Sequence, residues 1–302
     1  MKLGHFEVQV PDPPLRSPHC IVMLRPWVNV GNVGENVLSR LAMVHSAFPA
    51  GKLDRPGTFY DYTRYRPEIR LVNDERTVMV PNTNVLVARR ERQPDLVLLY
   101  MLEPHAHAED FNDSVVEVLK KLGVTRYVLV GGMYDSVPHS RPLLVTGSAR
   151  GWEPPPDFGG VRLSRSSYQG PTSMTSQLSE RVRTELGLET LSMIVHLPMY
   201  LKLDDDYAGA ARVLKVLSAI YSLPSEIPEY EMGAKQYAQV SPAMAANPQL
   251  QEMVVAFEKE YDEQRAQESK EPDAKLSPEI EQFLKDVEKK IDGEDGPGGR
   301  AA

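Results

Sequence analysis

The reading of three consecutive stretches decides the fold of this chain: Leu96-Val97-Leu98-Leu99-Tyr100, the segment from Asp110 to Leu122 closed by Gly123, and Arg126-Tyr127-Val128-Leu129-Val130-Gly131. The first and last are short and almost wholly apolar, the pattern of strands buried on both faces. Between them, Phe111, Val115, Val118, Leu119 and Leu122 fall on one side of a helix, and Gly123 suits its end. A strand, a helix and a strand in this length imply a parallel pair joined by a right-handed crossover.

Working outward, His19-Cys20-Ile21-Val22-Met23-Leu24 repeats the buried-strand pattern, and Val33, Val37, Leu41 and Val44 follow at helical spacing. The strands at Ile21–Leu24, Leu96–Tyr100 and Arg126–Val130 are therefore expected to be parallel neighbours or near neighbours in one central sheet covered by helices. Thr58-Phe59-Tyr60, Thr77-Val78-Met79-Val80 and Val85-Leu86-Val87-Ala88 read as shorter strands, with Pro67, Pro81 and Asn82 as hairpin material. Leu143–Thr146 and Leu191–Val195 add two more, with helical patterns over Thr172–Leu186 and Tyr207–Tyr221. The expected fold is α/β, with a mostly parallel or mixed central sheet flanked by helices.

That pattern ends near Leu223, which places an α/β domain at 1–225. Residues 226–292 read as an acidic helical extension and 293–302, rich in Gly and charge, as a disordered tail. One helical stripe in the extension runs through Leu250, Met253, Val254, Phe257 and Tyr261. A second runs through Ile280, Phe283, Leu284, Val287 and Ile291, with Ser277 as N-cap and Pro278 at the first helical position.

The net charge of −8 is concentrated at the C-terminal end, where residues 247–302 carry 15 acidic against 8 basic side chains. The rest is nearly neutral, with 27 acidic against 26 basic, so it lacks the basic stripe that a nucleic-acid partner requires. Cys20 is the only cysteine, which excludes an intrachain disulfide and a multi-thiolate zinc site. With no signal-peptide core at Met1–Glu7 and no apolar run of membrane-spanning length, the chain reads as cytoplasmic, without a membrane partner.

Candidate site residues cluster at strand ends. Gly31, Asn32 and Gly34 form the turn between the first strand and first helix. Such a turn either presents N–H groups to an anion or is purely structural, and the three-glycine dinucleotide fingerprint is incomplete. Val137-Pro138-His139-Ser140-Arg141-Pro142 follows the central strand at the carboxyl edge, where open parallel sheets bind ligands. There His139 could move protons and Arg141 could hold a carboxylate or phosphate. Equally, the prolines could stiffen a loop while Arg141 pairs with a carboxylate such as Glu103.

Glu103 ends another strand, and His105 and His107 just after it point to opposite sides of an extended chain, a poor metal pair. Asp204, Asp205 and Asp206 suit a solvated helix start. Tyr168 and Thr172 lie in a turn into a helix, where Thr172 or Ser173 can cap, and His196 closes the last strand. No complete catalytic set is visible, and neither a metal nor a cofactor is expected.

The glycine turn, Glu103-Pro104, Val137-Pro138-His139-Ser140-Arg141-Pro142, Tyr168-Gln169-Gly170-Pro171-Thr172 and His196-Leu197-Pro198-Met199-Tyr200 together resemble the proteasome assembly chaperone 2 family. The resemblance spans about residues 20–225, and the Pro-His-Ser-Arg-Pro and Tyr-Gln-Gly-Pro-Thr segments are its specific part. It implies a fold similar to the nucleoside phosphorylases, a homo-oligomer such as a trimer, and a protein-binding role. The ATP-grasp label sometimes attached to such proteins finds no phosphate-binding glycine-lysine loop or magnesium carboxylate set in this chain.

Archaeal relatives that engage the proteasome end in a hydrophobic residue, a tyrosine and one more residue. This chain ends Arg300-Ala301-Ala302 and lacks that signal. Two function classes follow: an assembly-chaperone-like, protein-binding homo-oligomer, or a pocket enzyme acting on a small anionic ligand at the sheet's carboxyl edge.

Overall fold

In the computed structural model, the structure describes residues 1–92, 94–155, 158–163, 172–240, 242 and 247–268 of the 302. Its centre is the predicted strand, helix, strand unit. Strand β8 (Leu96–Leu102), helix α2 (Ala108–Leu122) and strand β9 (Arg126–Asp135) flank β3 (His19–Arg25), which pairs in parallel with both strands. Alternation explains the unbroken apolar runs. Cys20, Val22, Leu99 and Tyr127 enter one core, while Ile21, Met23, Leu98 and Val128 enter another on the opposite face.

Helix α2 shows why its sequence stops where it does: Glu109 and Asp110 stand in its first turn, Lys120 and Lys121 in its last, and Gly123 closes it at φ 71°. Helix α3 (Met174–Leu186) packs beside α2 on the first core. Helices α1 (Val33–Val44) and α4 (Tyr207–Tyr221) cover the second.

The remaining strands are β1 (Lys2–Leu3), β2 (Phe6–Val8), β4 (Phe48–Leu53), β5 (Glu68–Val72), β6 (Glu75–Met79), β7 (Asn84–Ala88), β10 (Val145–Arg150), β11 (Val161–Leu163) and β12 (Glu189–Pro198). Ten strands form one mixed sheet in the order β1-β2-β4-β7-β8-β3-β9-β12-β10-β11. The β8-β3-β9-β12 centre is parallel, and antiparallel pairings flank it.

Thr58-Phe59-Tyr60 is not a strand. Pro56 starts a 3-10 turn over Pro56–Thr58, and Phe59 and Tyr60 turn into the core from its end. Strands β5 and β6 pair only with each other, as a two-stranded ribbon turning at Asn73 and Asp74, both at positive φ.

Helix α5 (Pro228–Ala238) packs on α4, and the compact unit runs from Met1 to Phe257, past the 225 boundary expected from the sequence. The described residues from Glu258 on fall outside that unit. Helix α6 (Pro248–Glu268) carries the first predicted stripe, of which Val254 is buried and Phe257 stacks on Tyr200. The stripe from Ile280 to Ile291 and its Ser277 cap lie outside the described residues, as does the 293–302 tail. No helix among the described residues is long and apolar enough to cross a membrane.

Candidate functional site

The Gly31–Gly34 turn is held from within. Asn29 Oδ1 accepts the N–H groups of Gly34 at 2.9 Å and Glu35 at 3.3 Å, so a side chain occupies the amides that would meet an anion. Gly31 has φ 59°, and a Cβ there would stand 2.7 Å from Asp206 Cβ. Asn32 donates to Asp205 Oδ1 at 3.2 Å, as Asn36 does at 3.1 Å.

Asp206 caps α4 by accepting from Gly209 N at 2.7 Å, and it accepts the Tyr237 hydroxyl at 2.8 Å. Burial pushes its carboxyl up, against hydrogen bonds that favour the ionised form. The three acidic residues at 204–206 thus open α4 as the sequence suggests, with Asp206 buried as the cap.

His139 is pinned by Tyr200. Its backbone N–H donates to the phenol oxygen at 2.8 Å, and its Nδ1 lies 2.7 Å from the same atom. Through the stacked pair Tyr200–Phe257, the His139 loop is joined to the first turns of α6.

Arg141 lines a groove of about 770 Å³ between its own loop, α4 and α5. Small residues such as Ala208, Ala211 and Gly233 form its floor, Tyr230 and Tyr237 one wall, and Arg212 and Lys215 add positive charge. Arg212 also holds the loop by donating to the Leu143 carbonyl at 2.8 Å.

Glu103 lies elsewhere, at the end of β8. Its N–H donates to Arg25 O at 2.8 Å, its carbonyl accepts Tyr65 Oη at 3.1 Å, and it is not among the residues lining the Arg141 groove. His105 accepts the Asp61 N–H on Nδ1 at 3.1 Å and packs against Tyr65, while His107 opens α2 at φ 55°. Those contacts hold the 59–65 loop against the sheet.

His196 is the candidate with the most structured surroundings. At 8 % exposure, it sets Nδ1 2.6 Å from Asp135 Oδ2 and Nε2 2.7 Å from Thr146 Oγ1. Three adjacent strands, β9, β12 and β10, contribute one residue each. Ile194, two residues before His196 in β12, lines a cavity of about 410 Å³ between the sheet and the first turns of α3, together with Trp27, Ser148, Ser192, Thr172 and Ser173; His196, Asp135 and Thr146 are not among its lining residues. Thr172 is thereby placed. Tyr168, Gln169 and Gly170 lie outside the described residues.

Sequence reasoning did not single out Asp135, Thr146 or Tyr237. Their partners are 50 or more residues away, apart from the 31 between Asp206 and Tyr237, so the only signal was the position of Asp135 at the carboxyl end of β9.

The ribbon β5–β6 presents a second surface. Ile69 pairs with Val78 and Leu71 with Arg76, so these four side chains share one face. Ile69, Leu71 and Val78 are 60 %, 73 % and 60 % exposed. The opposite face carries Glu68, Arg70, Val72, Glu75, Thr77 and Met79, of which Val72 and Met79 are also exposed.

The PAC2 family model matches residues 23–245. No curated protein matches the chain. Among solved structures, a Mycobacterium tuberculosis protein of unknown function is 24% identical, with 89% of this chain and 92% of that one covered at a TM-score of 0.74. A PAC2 family protein from Streptomyces avermitilis, 24% identical, covers 78% of this chain and 99% of its own at 0.67. A proteasome-assembly chaperone homologue from Mycobacterium tuberculosis, 22% identical, gives the same coverage and score. These likenesses carry the α/β fold, and the family match extends over most of the chain: the protein belongs to the PAC2 family.

Proposed function

We propose that this protein is an assembly-chaperone-like, protein-binding homo-oligomer of the cytoplasm, and that the β5–β6 ribbon is the arm by which one copy grips another. The observation that carries this reading is the apolar face of the ribbon, exposed on Ile69, Leu71 and Val78. An isolated two-stranded hairpin is marginal in water and needs something to pack on. Burying side chains of this size is worth roughly 1.5–3 kcal/mol each. A two-fold arrangement uses the same patch twice, which doubles the gain without a second surface.

The Arg141 groove supports protein binding by a different feature. Its small-residue floor, two tyrosines and basic Arg141, Arg212 and Lys215 suit an acidic peptide segment. Membership of a family with a solved proteasome-assembly chaperone homologue adds to the reading. The test is capture between copies: tagged protein retains untagged wild-type protein, and an Ile69→Asp, Leu71→Asp double variant is not retained. Retention of the double variant at the wild-type level would remove the ribbon from the account.

A further inference from the structure

The hydroxyl of Thr146, the imidazole of His196 and the carboxylate of Asp135 form one line of hydrogen bonds, at 2.7 and 2.6 Å. The roles in that line follow from chemistry. An ionised carboxylate only accepts, so the ring hydrogen sits on Nδ1 facing Asp135. Nε2 is then the bare nitrogen, and the Thr146 hydroxyl donates to it. A hydroxyl held by a base that is itself oriented by a carboxylate is the arrangement that activates an oxygen nucleophile.

The surroundings are those of a site. Backbone pairing fixes the geometry, because His196 donates its own N–H to Leu144 O at 2.9 Å and Ser136 N anchors Asp135 Oδ1 at 2.7 Å. Ile194, paired directly opposite Thr146 and on the same face of the sheet, lines the cavity of about 410 Å³. The far wall is the first turn of α3, where Ser173 bonds the Thr175 hydroxyl and caps no amide with its side chain. The positive end of that helix faces the cavity, where negative charge on a carbonyl oxygen would develop.

We propose that Thr146 is the nucleophile of an acyl-transfer site for small carboxylic esters, with His196 as general base and Asp135 orienting the imidazole. Thr146 Oγ1 bonds to the ester carbonyl carbon while its proton passes to His196 Nε2. Collapse of the tetrahedral adduct breaks the ester C–O bond, and the leaving alcohol takes that proton. Water then attacks the threonine ester, giving a proton to His196, which returns it to Thr146 as the carboxylic acid departs. Ester and water go in; acid and alcohol come out.

The experiment uses the full chain with p-nitrophenyl acetate, reading nitrophenolate release and the site of acetylation by peptide mass spectrometry. The expected result is acetyl on Thr146 and turnover that falls about 100-fold or more in Thr146→Val, an isosteric change, and in His196→Gln. Thr146→Ser should stay acetylated at residue 146. Wild-type protein that never carries acetyl on Thr146, or turnover unaffected by Thr146→Val, would overturn the proposal and leave the line as a tie between three strands. The acetylation site is read on wild-type protein, so the outcome stands even where a variant fails to fold.

Discussion

Tyr237 donates its hydroxyl to Asp206 at 2.8 Å, which ties α5 to the N-cap of α4. Burial already penalises the Asp206 carboxylate, and the phenol is one of the donors that offset this. Tyr237→Phe removes that donor and leaves a buried charge short of a partner. The expected loss is about 1–2 kcal/mol, seen as a lower urea midpoint with an unchanged slope. An unchanged midpoint would mean that α5 is held by its apolar contacts alone.

His19 makes the fold acid-sensitive. Burial, then the positive charges of Arg126 and Arg90, lower its pKa from 6.5 to about 4. The unfolded chain takes up a proton near 6.5 while the folded chain resists until about 4. The contribution of neutral His19 is therefore complete above pH 6.5 and declines as the pH falls through that window. His19→Asn should flatten the stability profile there. A wild-type profile that is level across the window would contradict the assignment.

The C-terminal helix divides at Phe257. Val254 is buried and Phe257 stacks on Tyr200 at 6.3 Å, both inside the compact unit. Ending the chain after Phe257 should leave the melting temperature nearly unchanged. Ending it before Asn247 should cost about 2–4 kcal/mol, from one buried valine and one aromatic pair. Equal melting temperatures for the two truncations would show that these contacts add nothing.

The parts of the fold that were legible in sequence are those where pattern alone decides. Strands β3, β8 and β9 are apolar on both faces, which only a covered parallel centre satisfies, and α2 carries a stripe, charged ends and Gly123. The Phe59-Tyr60 pair misleads because two core-facing aromatics at the end of a 3-10 turn look like half of a strand. His139, Arg141 and His196 were legible as carboxyl-edge residues. Their partners were not: Thr146 meets His196 only because β10 runs antiparallel to β12, and Asp135 only because β9 runs parallel to it. The separation of Glu103 from Arg141 is also a matter of strand order, since β3 stands between β8 and β9.

The ribbon decides the central claim, that this PAC2 family protein works by gripping a second copy through Ile69, Leu71 and Val78. Light scattering on the eluting peak measures mass directly, and circular dichroism checks that each sample is folded. The wild-type chain should elute at a multiple of its own mass, and the Ile69→Asp, Leu71→Asp variant at the mass of one chain with the same dichroism spectrum. A wild-type protein that is monomeric at micromolar concentration, or a folded double variant that keeps the wild-type mass, would contradict it.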